Sequence, residues 1–470
     1  MSRVERHLVF FVFRIRKMTH SKYQDLLCKP ATRMANIAPF YVMDLLGRAK
    51  ALEVQGREII HMEIGEPDFP TPEPIVEAGM QALAAGRTKY TASLGFPELR
   101  EAIAGFYRQR YGVDISPRRI AITPGASGAL QLALGVLVDP GDEVLITDPG
   151  YPCNRNMIRL FGGNPINVPV EPDTAYQLTS ELVSRHMTPA TTAIMLTSPS
   201  NPTGTLVSSR DMADILEQAG GKNAAPIPRA TNTPISNRQQ SIGFAGKNHR
   251  RYSRGATLVV DEIYLGLVYG ANVRDTPDTD AADIHSTVYA HTVDTALALS
   301  DEVFVVGGFS KYFGMTGWRL GWLVAPEAFM REIEKLAQNL YLSAPTVAQY
   351  AALAAFRPET LAILEARRRE FQQRRDFLLP ALQSLGFDFP VKPQGAFYLY
   401  ADCGRFTQNS LSFALDLLEN TGVAITPGLD FGKNASGRHV RFAYTTCMEN
   451  LHRGVERLGH YLFPQRSGGG

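Results

Sequence analysis

The middle of the chain alternates short, continuous apolar runs with segments of helical periodicity. The apolar runs predict strands at Ile120–Thr123, Glu143–Thr147, Thr192–Leu196, Thr257–Val260 and Val303–Val306. The periodic segments predict helices at Ala129–Val138, Asn154–Phe161 and Ser209–Ala219. Strands without polar alternation are buried on both faces, so we expect a largely parallel sheet between helices. Ligands bind such sheets at the carboxyl ends of the strands.

The two flanks of the chain follow a different pattern. An amphipathic helix ending near Gln55 and a strand at Ile59–Ile64 precede two further helices, Pro74–Ala85 and Pro97–Tyr107. After Pro326 the pattern becomes mainly helical. It predicts helices at Glu327–Tyr341 and, interrupted near Pro358, at Thr346–Leu385, then strands at Pro393–Tyr398 and Val440–Tyr444. These last elements predict a smaller α+β domain.

Length supports this division, because 470 residues exceed what one compact core usually holds. We predict a large domain over residues 65–335 and a small C-terminal domain over residues 336–463. Residues 35–64 would form a leading segment that packs with the small domain. Residues 1–34 would form an extension, and residues 464–470 a linker-like tail.

Composition describes an ordinary globular chain, with 44% hydrophobic and 20% charged residues and a net charge of +2. We predict no nucleic-acid partner and no membrane partner. The four cysteines are scattered without metal-ligand spacing, which favours a reducing, cytoplasmic setting and no metal site. The basic N-terminus has three interpretations: an organelle presequence, a disordered extension, or an upstream start codon before Met18 or Met34.

Two stretches of biased charge interrupt the alternating pattern. Gly220–Arg254 contains seven cationic side chains and no acidic one, whereas Asn272–Asp294 contains five aspartates and one arginine. Both are typical of loops or disordered insertions. Solvated insertions without a partner are one interpretation. Binding of nucleic acid or of an anionic surface by the basic stretch is a second. A third is that the two stretches, which flank the Thr257–Val260 strand, contact each other through their opposite charges.

The most informative stretch is Val305–Leu323, where Lys311 follows a buried strand in an otherwise uncharged segment. Burial disfavours the ammonium form, so the pKa of this lysine should fall. Such an amine is a nucleophile that can form a Schiff base with an aldehyde. Arg319 offers a planar fork that suits a phosphate. Aldehyde and phosphate together indicate pyridoxal 5′-phosphate (PLP); a surface lysine in a Gly-rich turn is the alternative.

The stretch from Phe309 to Gly321 resembles the cofactor-lysine signature of the class I/II aminotransferases, the fold type I PLP enzymes. The resemblance covers about Met34 to Leu462. It implies an α/β large domain with a mostly parallel, seven-stranded type of sheet and a smaller α+β domain. It also implies that Lys311 holds PLP covalently and moves the proton between Cα and C4′. Ser310 and Arg319 would bind the cofactor, Arg319 at its phosphate.

Other motifs match the family at successive predicted strand ends. Asp261 matches the carboxylate that binds the pyridine nitrogen, and a buried carboxylate keeps that nitrogen protonated. Tyr264 and Asn201 match the pair that hydrogen-bonds the phenolic oxygen of PLP. The resemblance implies three further cofactor contacts: Tyr151 at the ring, the Ala126–Ser127 turn at the phosphate, and Tyr90 at the phosphate in a neighbouring subunit. The Tyr90 match implies a homodimer with shared active sites.

For the substrate, Arg441 resembles the arginine that grips the α-carboxylate in a bidentate fork. Gly65 and Asn201 match residues that approach the same carboxylate. The resemblance implies transfer of an amino group from an L-amino acid to a 2-oxo acid by a ping-pong mechanism. It provides no clear second cation for a side-chain carboxylate, because Ser127 stands where some relatives have lysine. Aspartate, aromatic, alanine and branched-chain donors all remain open.

Three other functions stay open at this point. A PLP-dependent lyase or decarboxylase would use the same lysine, aspartate and arginine. A PLP-sensing regulator would need a DNA-binding domain, for which the residues before Met34 are too few. An inactive relative, disabled by the charged insertions, is opposed by the complete set of site residues.

Overall fold

The computed structural model describes residues 30–220, 255–269 and 295–464. The chain divides into two units, residues 1–38 and residues 39–470. The described part of the first unit contains a 3₁₀ turn at Thr32–Asn36. Most of the predicted extension and tail, and nearly all of both charged insertions, lie outside the described residues. Within those residues, no helix combines the length and apolarity needed to cross a bilayer.

The second unit contains short strands between longer helices. In chain order the strands are β1 (Ile60–His61), β2 (Ile120–Thr123), β3 (Glu143–Asp148), β4 (Asn164–Pro169), β5 (Thr191–Thr197), β6 (Thr257–Asp261), β7 (Phe304–Gly308), β8 (Gly321–Val324), β9 (Tyr398–Asp402), β10 (Val423–Ala424), β11 (Thr426–Pro427) and β12 (His439–Ala443). The helices are α1 (Tyr41–Val54), α2 (Glu73–Ala84), α3 (Pro97–Tyr111), α4 (Gly125–Leu137), α5 (Pro152–Leu160), α6 (Ser180–His186), α7 (Ser209–Gly220), α8 (Met330–Leu340), α9 (Thr346–Leu353), α10 (Pro358–Ser384), α11 (Ser410–Thr421) and α12 (Met448–Leu462).

The main sheet has seven strands in the order β2-β8-β7-β6-β5-β3-β4. Every neighbouring pair is parallel except those of β8, which runs antiparallel to both β2 and β7. Alternate residues of β6 enter two separate apolar clusters: Leu258 and Val260 join one, and Val259 joins the other. Both faces of the sheet are therefore buried, which explains the continuous apolar runs. The predicted fold class is confirmed.

Two smaller sheets complete the unit. Strands β9, β12 and β11 form an antiparallel sheet, and β1 pairs in parallel with β10. β1 and β10 are far apart in the sequence, so their pairing brings residues 60–61 against the C-terminal part of the chain. The predicted domain boundaries themselves remain predictions.

Several elements differ from the sequence expectations. The helix predicted at Ala129–Val138 begins already at Gly125, so the Ala126–Ser127 turn is the first turn of α4. Pro393–Tyr398 is not a strand, because β9 begins only at Tyr398. The hydrophobic pattern also missed β4, an edge strand with mostly exposed or half-buried residues and two prolines. Edge strands carry neither a continuous apolar run nor full burial, so periodicity alone does not reveal them.

Candidate active site

Three adjacent parallel strands present polar side chains at the same edge of the main sheet. Thr197 at the end of β5 pairs with Asp261 at the end of β6, and Asp261 pairs with Val306 in β7. Asn201 and Lys311 follow β5 and β7 within a few residues. The parallel register therefore brings Asn201, Asp261 and Lys311 together, as the sequence predicted.

The Lys311 ammonium points into a cavity at this edge. Its Nζ donates a hydrogen bond of 2.6 Å to the carbonyl oxygen of Gly65. Burial lowers the pKa of Lys311 to about 8, and Arg441 and Arg319 act in the same direction, while Glu66 and Asp261 oppose them. The amine thus loses its proton about two pH units below an ordinary lysine.

Asp261 lies deep in the same cavity, with 4% of its surface exposed. Its Oδ1 accepts a hydrogen bond of 3.1 Å from the backbone N–H of Ile263. Burial raises the pKa of this carboxyl to about 6, against the opposing effects of that hydrogen bond and of Lys311. The group is consequently an anion at neutral pH whose charge is poorly compensated, a state that favours a cationic partner.

The N-terminus of α4 forms an anion cradle at one wall of the same cavity. Gly125 has φ of +71°, and a Cβ there would lie 2.8 Å from Arg319 Nη2. A Cβ on Gly321 would lie 2.6 Å from the backbone N of Ala126, so both glycines are needed for the close approach. Arg319 itself has φ of +54°, a strained conformation for a side-chain-bearing residue. Free N–H groups, the helix dipole and a guanidinium converge here, which suits a phosphate.

Arg441, on β12, lies at another wall of the cavity and is 5% exposed. Its guanidinium donates to Asn201 Oδ1 at 2.8 Å, to the Glu63 carbonyl oxygen at 2.6 Å and to Thr426 Oγ1 at 3.1 Å. Its Nε has no hydrogen-bond partner among the described residues. The guanidinium is thus fixed in place while retaining donor capacity for an anion.

The cavity has a volume of about 460 Å³ and joins all these groups. The predicted site residues that line it are Gly65, Ala126, Ser127, Tyr151, Asn201, Asp261, Tyr264, Ser310, Lys311, Arg319 and Arg441. Tyr90 is not among the lining residues. It is 81% exposed on the surface of the chain, outside this cavity.

Comparison with known proteins gives the same family as the sequence motifs. The family described as aminotransferase class I and II matches residues 57–227 and 250–458, most of the chain. The chain belongs to the class I and II aminotransferases. It is a PLP-dependent transaminase, which exchanges an amino group between amino acids and 2-oxo acids.

Individual relatives span nearly the whole aminotransferase. A (5-formylfuran-3-yl)methyl phosphate transaminase of Methanocaldococcus jannaschii is 35% identical over 92% of this chain and 98% of its own length. A valine–pyruvate aminotransferase of Mycobacterium tuberculosis is 33% identical over 91% of this chain and 97% of its own. The crystal structure of an aminotransferase from Mycobacterium tuberculosis superposes with a TM-score of 0.78 at 32% identity, over 93% of this chain and all of its own.

The cavity of the aminotransferase fits PLP. A partly deprotonated lysine suits its aldehyde, and a buried carboxylate with raised pKa suits its ring nitrogen. The glycine-lined cradle at α4 suits its phosphate, because any Cβ at Gly125 or Gly321 would collide with the groups that form it. No cluster of three potential metal ligands occurs in residues 30–220, 255–269 or 295–464.

Sequence reasoning missed Tyr398 in the aminotransferase site. Its hydroxyl lies 2.8 Å from that of Tyr264, and its ring centroid lies 4.2 Å from the Arg441 guanidinium. A Cβ at Gly65 would lie only 2.0 Å from the Tyr398 hydroxyl, which explains the glycine. Thr426 was also missed. The paired aromatic residues Phe397–Tyr398 after Gly395 were the available signal for Tyr398; Thr426 carries none.

Proposed function

We propose that Lys311 is the residue that binds PLP and then carries the proton in this aminotransferase. The observation that supports this role best is the buried amine with a pKa of about 8 in a cavity of about 460 Å³. At pH 8 about half of such amines are free bases, so the group can both accept and return a proton. The Gly65 carbonyl, 2.6 Å from Nζ, aims the side chain into the cavity.

Asp261 complements Lys311, because its carboxyl carries a charge at the pH where the amine is partly neutral. Bound PLP supplies an electron sink for the reaction while its ring nitrogen stays protonated. With a pKa of about 6, the Asp261 carboxyl is ionised at the pH where Lys311 is partly neutral. Its anion holds a proton on a neighbouring nitrogen, and the buried setting strengthens that attraction. Tyr264, joined to Tyr398, and Asn201 donate to the phenolic oxygen in this proposal.

Arg441 binds the α-carboxylate of the substrate. Its guanidinium is oriented by Asn201, Thr426 and the Glu63 carbonyl before any substrate arrives, which reduces the entropy cost of binding. Gly65, whose lack of a Cβ leaves room for the Tyr398 hydroxyl, approaches the carboxylate beside this fork. The α4 N-terminus, with Ala126, Ser127 and Arg319, binds the phosphate, and Ser310 and Tyr151 complete the cofactor pocket.

The exposed position of Tyr90 supports the proposal of a homodimer with shared active sites. The side chain is 81% exposed in a single chain, although a tyrosine of this size usually buries much of its ring. In the dimer it reaches the phosphate in the partner's site. We also place the enzyme in the cytoplasm, since the described cysteines Cys153, Cys403 and Cys447 are free thiols.

Substitution of Lys311 tests the central role. Lys311→Ala should reduce turnover by a factor on the order of 10⁴ to 10⁶, because one residue carries both attachment and proton transfer. The visible absorption band of lysine-bound PLP should disappear as well. Lys335→Ala is the matched control, since Lys335 is an exposed lysine on α8. Normal turnover by Lys311→Ala would overturn the assignment.

Tyr90→Phe tests the shared site. Loss of one hydrogen bond to a charged phosphate should weaken PLP affinity roughly tenfold, measured by equilibrium dialysis of the dimer. Tyr461→Phe, which changes another exposed tyrosine, serves as the control. Unaltered PLP affinity in Tyr90→Phe would contradict the cross-subunit contact.

A further inference from the structure

One wall of the active-site cavity is apolar and has no role in the proposed chemistry. We call it the apolar wall; it consists of Phe40, Val42, Met43, Ile64 and Phe431. It adjoins the proposed carboxylate site, because the Phe431 ring centroid lies 4.9 Å from the Arg441 guanidinium. A substrate held by Arg441 would therefore have its side chain within reach of this wall.

The charges around the cavity disfavour a second substrate carboxylate. Among the described lining residues the cations are Lys311, Arg319 and Arg441, and the proposed function uses all three. The acidic lining residues are Glu63, Glu66, Asp261 and Asp430, of which Glu63 and Asp430 are each at most 5% exposed and have no role in the proposed chemistry. Asp430 lies close enough to Arg441 for the two charges to interact. An anionic side chain would lose its hydration and gain no further cation from the described residues of the same chain, which is costly.

Asp430 also fixes the apolar wall. Its carboxylate oxygens accept hydrogen bonds from the backbone N–H groups of Tyr41 at 2.7 Å and Val42 at 2.8 Å. These are the first residues of α1, so the carboxylate satisfies N–H groups that have no partner inside the helix. Phe40, Val42 and Met43 are consequently held in position by one buried side chain from another part of the chain.

The loop that carries Asp430 is itself anchored to the main sheet. Asp148, at the end of β3, accepts hydrogen bonds from the backbone N–H groups of Lys433 at 3.0 Å and Asn434 at 3.2 Å. A Cβ at Gly432 would lie 1.6 Å from Asp148 Oδ1, so the approach depends on glycine there. The position of the apolar wall is thus built into the fold of one subunit.

We propose that the apolar wall selects amino acids and 2-oxo acids with uncharged, bulky apolar side chains over aspartate and glutamate, and that Asp430 is its positioning residue. This inference rests on the proposed function, since it uses Arg441 as the α-carboxylate site. The substrate class is large aliphatic or aromatic amino acids. The wall provides apolar contact for them, and removal of their apolar surface from water favours binding.

The half-reaction of the PLP-loaded enzyme with single amino acids tests the selection without any acceptor. Conversion of the cofactor is followed by absorbance with leucine, methionine, phenylalanine, alanine, aspartate and glutamate. We expect kcat/KM for leucine or phenylalanine to exceed that for aspartate by at least about tenfold. Equal or greater reactivity with aspartate would overturn the selection while leaving the proposed function intact. Failure with every amino acid would instead overturn the proposed function, and the selection with it.

A positive charge placed on the wall should weaken the preference for leucine over aspartate. Val42→Arg supplies the missing cation and should raise the aspartate-to-leucine ratio of kcat/KM roughly tenfold. Phe40→Arg repeats the test at a second, half-buried position in case the first variant folds poorly. An unchanged ratio in both folded variants would contradict the placement of the substrate side chain.

Substitution of Asp430 tests positioning. Asp430→Ala should lower kcat/KM for phenylalanine at least about fivefold more than for alanine, because only the larger side chain reaches the wall. Asp430→Asn keeps one acceptor oxygen, so its loss of kcat/KM for phenylalanine should lie between those of the wild type (none) and Asp430→Ala. Asp44→Asn changes an exposed carboxylate on the same helix and is the control. Equal losses for both amino acids would indicate a merely structural role and overturn the positioning role.

Discussion

Lys311 and Tyr312 are consecutive residues, yet their side chains enter two contrasting buried environments. Lys311 donates to a neutral carbonyl, and nearby Asp261 accepts from a backbone N–H. Tyr312 instead joins a buried network. Its hydroxyl and the guanidiniums of Arg110 and Arg368 each lie 2.7–2.8 Å from the Glu365 carboxylate. The network thus contains two close ion pairs, whereas the hydrogen bonds of Lys311 and Asp261 go to neutral backbone groups.

The contrast separates structural from functional charge. A buried ion pair in direct contact tolerates low dielectric, but its charges are already engaged and offer little to a ligand. A buried charge whose burial outweighs the attraction of nearby opposite charges shifts its pKa, as Lys311 and Asp261 do, and is stabilised when a complementary group binds. The enzyme thus carries an unfavourable electrostatic energy in the cavity that cofactor binding relieves.

The largest effect on stability should come from the network. Glu365→Ala leaves the buried guanidiniums of Arg110 and Arg368 without their carboxylate, so we expect a loss of about 3–5 kcal/mol in the free energy of unfolding. Urea denaturation of the PLP-loaded protein measures it. Glu332→Ala breaks an exposed pair with Lys335 and should cost less than about 1 kcal/mol. Equal effects of the two substitutions would contradict a larger contribution of the buried network than of the exposed ion pair.

Asp261→Asn should act in the opposite direction on the cofactor-free protein. The carboxyl pKa is raised from 3.8 to about 6, so its ionisation opposes folding by up to about 3 kcal/mol at neutral pH. The variant should therefore be more stable than the wild type without PLP, by more at pH 8 than at pH 5. Its turnover with PLP should fall by a factor on the order of 10² to 10³. Reduced stability of the cofactor-free variant at pH 8 would contradict an uncompensated charge.

His61 provides an intermediate case and the smallest expected effect. Its ring, 32% exposed, lies 2.7 Å from the buried Glu63 carboxylate, and this hydrogen bond raises the pKa of His61 to about 9. The stabilisation is complete below about pH 6.5 and is lost as the pH rises through 9. We expect about 1–2 kcal/mol between pH 6.5 and 10, given the partial exposure.

His61→Asn should flatten that pH dependence, measured by thermal unfolding across the same range. His460→Asn, at an exposed position near the end of α12, should leave the dependence as it is. A wild-type stability that does not fall between pH 6.5 and 10 would contradict the pairing.

Local signals revealed the cofactor end of the cavity because strand ends in a parallel sheet converge by geometry alone. Lys311, Asp261 and Asn201 each follow an apolar run, so their proximity was predictable from spacing and topology. Asp430 had no local signal in the sequence, and Tyr398 had only the aromatic pair Phe397–Tyr398. Their positions depend on contacts across hundreds of residues, such as Asp430 with the start of α1 and Tyr398 with Tyr264.

Boundaries between elements were predicted less well than the elements themselves. The helix expected from Ala129 begins already at Gly125, because this glycine adopts the positive φ that links strand β2 to α4. The strand expected at Pro393–Tyr398 begins at Tyr398 instead, because the three-stranded sheet, not local composition, sets where pairing starts.

The reversed direction of β8 has a consequence for how this enzyme can change over evolutionary time. Gly308 pairs with Gly321, so the loop bearing Lys311 and Arg319 is closed at both ends by sheet hydrogen bonds. One inserted residue adds about 3.3 Å of chain and would separate the two cations from each other. Insertions can accumulate between β5 and β6, or between β6 and β7, while this loop keeps a constant length.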